Sequence, residues 1–264
     1  MTYDKTIQDH YDKVAAEYGD SASSTMADAI TRRIETNAIL TFVRIAISKK
    51  DSAIADVGCG NGYTLAELKQ HFPQADLTGF EFNAALRAIA EKRFSSGGAR
   101  ILPGDIRNSK FSSGRKFSVI ICQRVLINLL DPRDQKAALD NLVAATEPGG
   151  HLIFIEAFTS GLSRLNAARD EFGLPPLPPA EHNIYLPDDF FMDASLTPFS
   201  SPDWQVSPNE LSTHYFVSRI LHPALLGPRP FVRNSEFVRF FSEALPPAIG
   251  DYTQLRILAF TKRV

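Results

Sequence analysis

The chain has 264 residues, enough for one large α/β domain or two smaller ones, and a formal net charge of −2. That near balance argues against nucleic acid as a bulk electrostatic partner. No apolar stretch nears the roughly 20 residues of a membrane span, and the first residues lack the basic start and apolar core of a leader.

In chain order, Ile7, Tyr11, Val14, Ala15 and Tyr18 recur at helical intervals, and residues 26–47 predict a second long helix. Ile54-Ala55-Asp56-Val57 then reads as an apolar strand that stops in Gly58-Cys59-Gly60-Asn61-Gly62. A helix follows from about Gly62, with Leu65, Leu68 and Phe72 at helical spacing. Glycine at every second position suits a tight turn against which a ligand can lie, where any Cβ would collide. Free N–H groups stand at the mouth of the helix. This is the expected cofactor site.

Residues 75–81 predict a short strand ending in Glu81, where a carboxylate can accept both hydroxyls of a ribose. Residues 99–106 hold another strand end at Asp105, and residues 117–129 a buried strand that breaks into polar residues at Gln123 and Arg124. Asp131 and Pro132 open a helix whose buried face is Ala138, Leu139, Leu142 and Val143. Glu147-Pro148-Gly149-Gly150 stops it ahead of the apolar run Leu152-Ile153-Phe154-Ile155, and residues 255–261 form a last strand. Strands alternating with helices require a parallel sheet covered on both faces. Cys59 and Cys122 sit where packing explains them and offer no metal spacing, so the chain reads as cytosolic and reduced.

The glycine pattern is G-x-G-x-G. Tyr63 stands where a dinucleotide fingerprint needs its third glycine, which disfavours a dehydrogenase. Asp56, two residues before Gly58, would repel a pyrophosphate but suit a cation. Taken in order over residues 50–157, these motifs resemble the class I (Rossmann-like) S-adenosylmethionine-dependent methyltransferases of small-molecule type. The resemblance implies a doubly wound, seven-stranded, mostly parallel sheet whose last strand is antiparallel. It also implies S-adenosylmethionine as cofactor and S-adenosylhomocysteine as product. On that resemblance Asp56, Gly58, Cys59, Gly60 and Gly62 form the cofactor loop, Glu81 holds the ribose and Phe82 covers the adenine. Asp105 accepts from the adenine amino group, the Ile106 amide reaches the ring, and Gln123 and Arg124 wall cofactor from acceptor. Tyr11-Asp12-Lys13-Val14-Ala15-Ala16-Glu17-Tyr18 resembles a helix folded across the cofactor by Tyr11 and Tyr18.

The expected organisation is a single domain, 1–264. It has an N-terminal helical cover (1–50), a cofactor core (51–157), acceptor-site insertions and later elements (158–250) and a final strand (251–264). Function in such folds is set by what is grafted on them. Two stiff, proline-rich insertions, 160–187 and 208–232, are expected to form the acceptor pocket, because long connections of this kind are usually functional covers. A hydroxyl acceptor calls for a base; His182 is preferred, then His214, with His222 and Glu156 as further candidates. Asn128, Asn183, Tyr185, Tyr215 and Arg219 are the expected acceptor contacts. The favoured activity is O-methylation of a sugar, glycan precursor or other hydroxylated metabolite. Methylation of a small amine, and a non-catalytic module that binds the cofactor, stay open. Methylation of nucleic-acid amino groups is disfavoured, since Gln123-Arg124-Val125-Leu126 replaces the Asn/Asp-Pro-Pro-aromatic motif that it would want. The partner is thus a small molecule with no metal, nucleic acid or membrane, and homodimerisation is left open.

Overall fold

The computed structural model describes residues 3–22, 24–47, 49–192, 195–227 and 229–264. Residues 1 and 2, part of the segment read for a leader, lie outside the described residues.

Two helices come first, α1 (Tyr3–Tyr18) and α2 (Ala29–Ala46), the second capped by the Asp28 carboxylate, which accepts from the Thr31 amide. The alternating core follows: β1 (Ala53–Val57), α3 (Tyr63–His71), β2 (Asp76–Glu81), α4 (Ala84–Arg93), β3 (Arg100–Pro103), β4 (Phe117–Gln123), α5 (Pro132–Ala145) and β5 (Thr146–Ala157). Local chemistry sets these boundaries. Asn83 caps α4 through the Leu86 amide, and Asp131 caps α5 with Pro132 in its first turn. The rest comprises α6 (Thr159–Glu171), β6 (Leu196–Pro198), α7 (Ser212–Tyr215), a π-helical segment (Phe216–Leu221), α8 (His222–Leu226), α9 (Glu236–Ala244) and β7 (Leu255–Lys262).

The sheet order is β3-β2-β1-β4-β5-β7-β6, with β7 antiparallel to both its neighbours and every other pairing parallel. Central strands are apolar throughout because helices cover both faces: Ile54, Ala55, Val119, Ile120, Ile121, Leu152, Ile153 and Phe154 are all fully buried. One core, around Phe80, Phe117, Leu139 and Phe154, lies on one face; a second, around Phe42, Leu65, Leu68 and Ile153, lies on the other. β1 is flanked by β2 and β4, with Val57 in register with Phe80 and Cys122. Strand order reverses there, which is where open parallel sheets leave a crevice beyond the carboxyl ends of their strands.

Two elements differ from expectation. Residues 159–171, read as part of an insertion, form helix α6, which buries Leu165 and brings Gly161 so close to the Thr253 carbonyl that an added Cβ would lie 2.4 Å from it. The three-residue edge strand β6, implied by a seven-stranded sheet, was not located in the sequence, since three residues show no alternation to read. Among the described residues no helix is long and apolar enough to cross a membrane.

The turn after β1 shows why it needs glycine. Gly58 has φ +69°, and a Cβ there would meet Val125 Cγ2 at 2.4 Å. Gly58→Ala is expected to destabilise the chain by about 1–3 kcal/mol, the range for overpacking. An unchanged urea midpoint would show that the turn can relax.

Candidate active site

The carboxyl ends of β1, β2 and β4 open into a crevice of about 1050 Å³, its mouth included, which α1 covers. Three hydrogen bonds latch that cover: Asn83 Nδ2 to Asp12 Oδ1 at 2.7 Å, Asn128 Nδ2 to the Tyr11 hydroxyl at 2.7 Å, and Arg107 Nη1 to Asp4 Oδ1 at 2.7 Å. Asn61 Nδ2 adds a tie from the glycine turn to the Gly19 and Ser21 carbonyls beyond α1.

Of the residues expected to hold a cofactor, Tyr11, Asp56, Gly58, Cys59, Gly60, Glu81, Phe82, Asp105, Ile106, Gln123 and Arg124 all line this crevice. Glu81 is buried and fixed from two sides, Oε2 accepting from the Gly60 amide and Oε1 from the Asn83 amide, each at 2.7 Å. Each oxygen keeps acceptor capacity towards the crevice. Asp56, 2% exposed, has an Oδ2 with no hydrogen-bond partner among the described residues. Burial, then the neighbouring Glu81, pushes its pKa up to about 8 against the pull of Arg32.

Two of these expectations need correction. Gly62 caps α3 in the left-handed region (φ +78°), where a Cβ would press on the Phe94 ring at 3.1 Å, so this glycine serves helix packing and does not line the crevice. Tyr18 also lies off the crevice. It shares the helical face of Tyr11, but seven residues put it about 10 Å further along the axis, beside Glu17 and Arg233. Asp105 lines the crevice with its carboxylate already engaged by the Arg107 amide, Nε and Nη2. Burial raises this acid, and the Arg107 bonds more than offset that and hold it below the usual carboxylate range.

The candidate bases are placed differently from expectation. Glu156 ends β5 wholly buried, and its carboxylate accepts from the amides of Val125, Leu126 and Ile127 at 2.9, 3.0 and 3.3 Å. It is the cap of the turn that carries Asn128, and not a base facing the crevice. Burial raises its pKa to about 7 against those bonds. His214 is also fully engaged, with Nδ1 on Ser242 Oγ at 2.9 Å and Nε2 on Asp28 Oδ2 at 3.0 Å. Arg219 reaches the same Asp28 at 3.1 Å and stacks over Tyr215. Burial raises Asp28, but His214 and Arg219 overcome it and hold it well below its ordinary value. His214, Arg219 and Tyr215 therefore brace the start of α2 and do not line the crevice. His222 stacks on Phe237 outside it.

His182 lies on the second face of the cover. Residues 180–186 are sewn to the turn after β4: the Ile184 amide donates to the Ile127 carbonyl at 2.8 Å, and Gln135 Nε2 bridges the Leu126 and Ile184 carbonyls. Behind them Asn166 holds Leu177 and Arg169 holds Pro175. This strap stacks His182 on His10 of α1 with ring centroids 3.8 Å apart. Burial, then His10, drives its pKa down to about 4, so it is a neutral and weak base. Asn183 has a buried Oδ1 without a partner, and Tyr185 is half-buried beside Gln254; neither lines the crevice. Asn128 does.

Sequence reasoning missed Arg32. This α2 residue, 6% exposed, donates from Nη2 to Thr25 Oγ1 at 2.6 Å, lies over the Tyr63 ring at 5.2 Å, and leaves Nε unpartnered. No ion pair among the described residues involves it, and burial, then Arg124, lowers its pKa to about 10. Next to Arg33, in a helix of mixed polarity, it carries no local signal that sets it apart. The crevice thus holds an acid with a free buried oxygen and a guanidinium without a carboxylate. Together they fit a ligand carrying both an ammonium and a carboxylate, as S-adenosylmethionine does.

Residues 54–150 match the family described as Methyltransferase domain. The chain is 28% identical over 158 residues to a malonyl-acyl-carrier protein O-methyltransferase of Halalkalibacterium halodurans; the matched stretch spans 58% of this chain and 56% of that protein. Two solved structures share the fold. The N-methyltransferase NodS of Bradyrhizobium japonicum, in complex with S-adenosylhomocysteine, aligns with a TM-score of 0.56 at 16% identity, covering 96% of this chain and 97% of that one. A putative methyltransferase, seen with the Trm112 activator of Haloferax volcanii, aligns with a TM-score of 0.59 at 12% identity, covering 96% and 98%. Residues 54–150 thus carry the methyltransferase-domain match, and the strand order and glycine turn give the chain the class I S-adenosylmethionine-dependent methyltransferase fold.

Proposed function

We propose that this chain transfers the methyl group of S-adenosylmethionine to an oxygen of a small molecule. The observation that carries the reading is the pairing of the orphaned Asp56 oxygen with the unpaired Arg32 guanidinium across one crevice. Asp56 holds the amino group and Arg32 the carboxylate of the methionine part. Glu81 accepts the ribose hydroxyls with the lone pairs left by the Gly60 and Asn83 amides. Phe82 and Ile106 cover the adenine. When bound, the cofactor supplies an electrophilic methyl on a sulfonium, so the protein's task is chiefly alignment. Tyr11, Asn128 and Arg124 form the wall on which the acceptor rests, and the latched α1 excludes water from it. The O-methyltransferase relative supports oxygen as the acceptor atom.

Titration calorimetry tests this with S-adenosylhomocysteine and with NAD. Only the first is expected to bind. Arg32→Met is expected to weaken it by about 1.5–3 kcal/mol, the range for a hydrogen bond to a charged group, while leaving the thermal transition nearly unmoved. Equal affinity in that variant would remove Arg32 from the site, and binding of NAD alone would overturn the reading.

A further inference from the structure

Two side chains at the Asn128 side of the crevice, Tyr11 and Arg124, keep donor groups without a partner among the described residues. Asn128 Nδ2 donates to the Tyr11 hydroxyl oxygen at 2.7 Å and to the Arg124 carbonyl at 2.8 Å, so one amide ties both residues together. Having accepted from Asn128, the Tyr11 hydroxyl still has its own proton to give, and no described residue accepts it. Desolvation of the half-buried Tyr11 pushes its pKa up to about 12, so this proton stays on. Arg124 gives only Nη1 to Glu35, at 2.6 Å, and its Nε and Nη2 bond to no described residue. Its backbone is left-handed (φ +55°), an unusual state for a side chain of this size. The Arg124 amide on the Ile155 carbonyl and the Glu35 ion pair hold it there. Such strain in a non-glycine residue collects at sites that place a side chain for use.

The same end of the crevice lacks a free base among the described residues. Glu156 caps a turn, His214 is engaged at both nitrogens and His182 is stacked on His10. Glu35 is spent on Arg124 and Gln123. Asp56 lies at the glycine turn, where the cofactor's ammonium would take it. A neutral hydroxyl would therefore find donors but nothing to receive its proton.

We infer that the acceptor is a carboxylic acid, bound as its carboxylate by the Arg124 guanidinium and the Tyr11 hydroxyl and methylated on one of its own oxygens. A guanidinium fork matches the two oxygens of a carboxylate. A carboxylate lone pair forms the new O–CH3 bond while the C–S bond breaks onto sulfur. The carboxylate and sulfonium charges cancel, and no proton is released, so no base is needed. The inference rests on the methyltransferase reading above, of which it names the substrate class.

The experiment begins with calorimetry of S-adenosylhomocysteine, because failure there removes the methyltransferase reading itself. Methyl-labelled S-adenosylmethionine is then offered with a small-metabolite extract and with matched pairs: glucuronate and glucose, succinate and succinamide. The expected label sits in methyl esters, released as methanol by mild alkali, with no proton liberated per turnover in weak buffer. Alkali-stable label with one proton per turnover would overturn the inference and leave the methyltransferase reading standing. So would absence of transfer to every acid by protein that binds the product. Tyr11→Phe, which preserves the ring, is expected to raise KM for the acid at least tenfold while S-adenosylhomocysteine affinity stays within twofold. An unchanged KM would exclude Tyr11 from the acceptor contact.

Discussion

Asp56→Asn is expected to raise the melting temperature of the ligand-free chain at pH 8 and, in the same protein, to weaken S-adenosylhomocysteine binding at least tenfold, about 1.4 kcal/mol. Both effects follow from one buried oxygen. The Asp56 carboxylate is buried beside Glu81, and the guanidinium nearest to it in charge, Arg32, only partly compensates. Its folded pKa of about 8 stands above the ordinary 3.8. A raised folded pKa contributes stability that is fully present below the ordinary value and is lost as pH rises through the folded one. Ligand-free stability should therefore fall between about pH 4 and pH 8. An asparagine has the same shape and no charge, so it removes that decline and also the partner for an ammonium. Glu156, raised to about 7, produces a decline of the same sign that ends earlier. The difference in slope between wild type and Asp56→Asn, largest towards pH 8, therefore reports Asp56. Melting curves with the same slope there in both proteins would show that Asp56 is not held protonated by the fold.

That combination identifies a site that is built to be completed. A core with an unsatisfied acid and an unpaired guanidinium gives up stability in the absence of ligand, and improving either group in isolation should impair binding. The three latches on α1 suit the same logic. They close a cover over charges that water would otherwise screen.

How far this was legible follows from where each contact lies along the chain. The strand, glycine turn and helix around Gly58 and Gly60 were readable because their chemistry is local, and so were the acids that end β1 and β2. Arg32 was not, since only the tertiary fold carries α2 across to Asp56. The same distance hid the role of His214, whose partners Asp28 and Ser242 come from opposite ends of the chain. Tyr18 was misplaced because helical period reports a face and not a position along the axis. Residues 160–187 were expected to shape the acceptor pocket with His182 as base; the stacking of His182 on His10 of α1, and the part α6, Asn166 and Arg169 play in holding the strap there, depend on contacts that no local pattern shows. Glu156 misled for a simpler reason. A carboxylate at the end of a strand looks the same in sequence whether it serves a substrate or three backbone amides.

Glu156→Ala separates those two roles. Three amides, those of Leu126 and Ile127 buried and that of Val125 half-buried, would lose their acceptor, and each unsatisfied buried donor costs about 1–3 kcal/mol. The loss should approach the 3–5 kcal/mol typical of breaking a buried charged network, read as a fall in the urea midpoint. The turn from Arg124 to Asn128 loses its anchor at the same time, so turnover should fall with stability. Glu156→Gln is the decisive companion, since its carbonyl oxygen can still accept while its amino group cannot. Its expected destabilisation is smaller than that of alanine. The sign of its pH dependence is also set: the wild-type contribution is present below about pH 4.5 and lost as pH rises through 7, and in the glutamine variant the decline over that window should be shallower, with the Asp56 part remaining. A general base would behave otherwise. Glutamine would then leave folding and S-adenosylhomocysteine affinity intact and abolish turnover alone, and that result would return Glu156 to the chemistry.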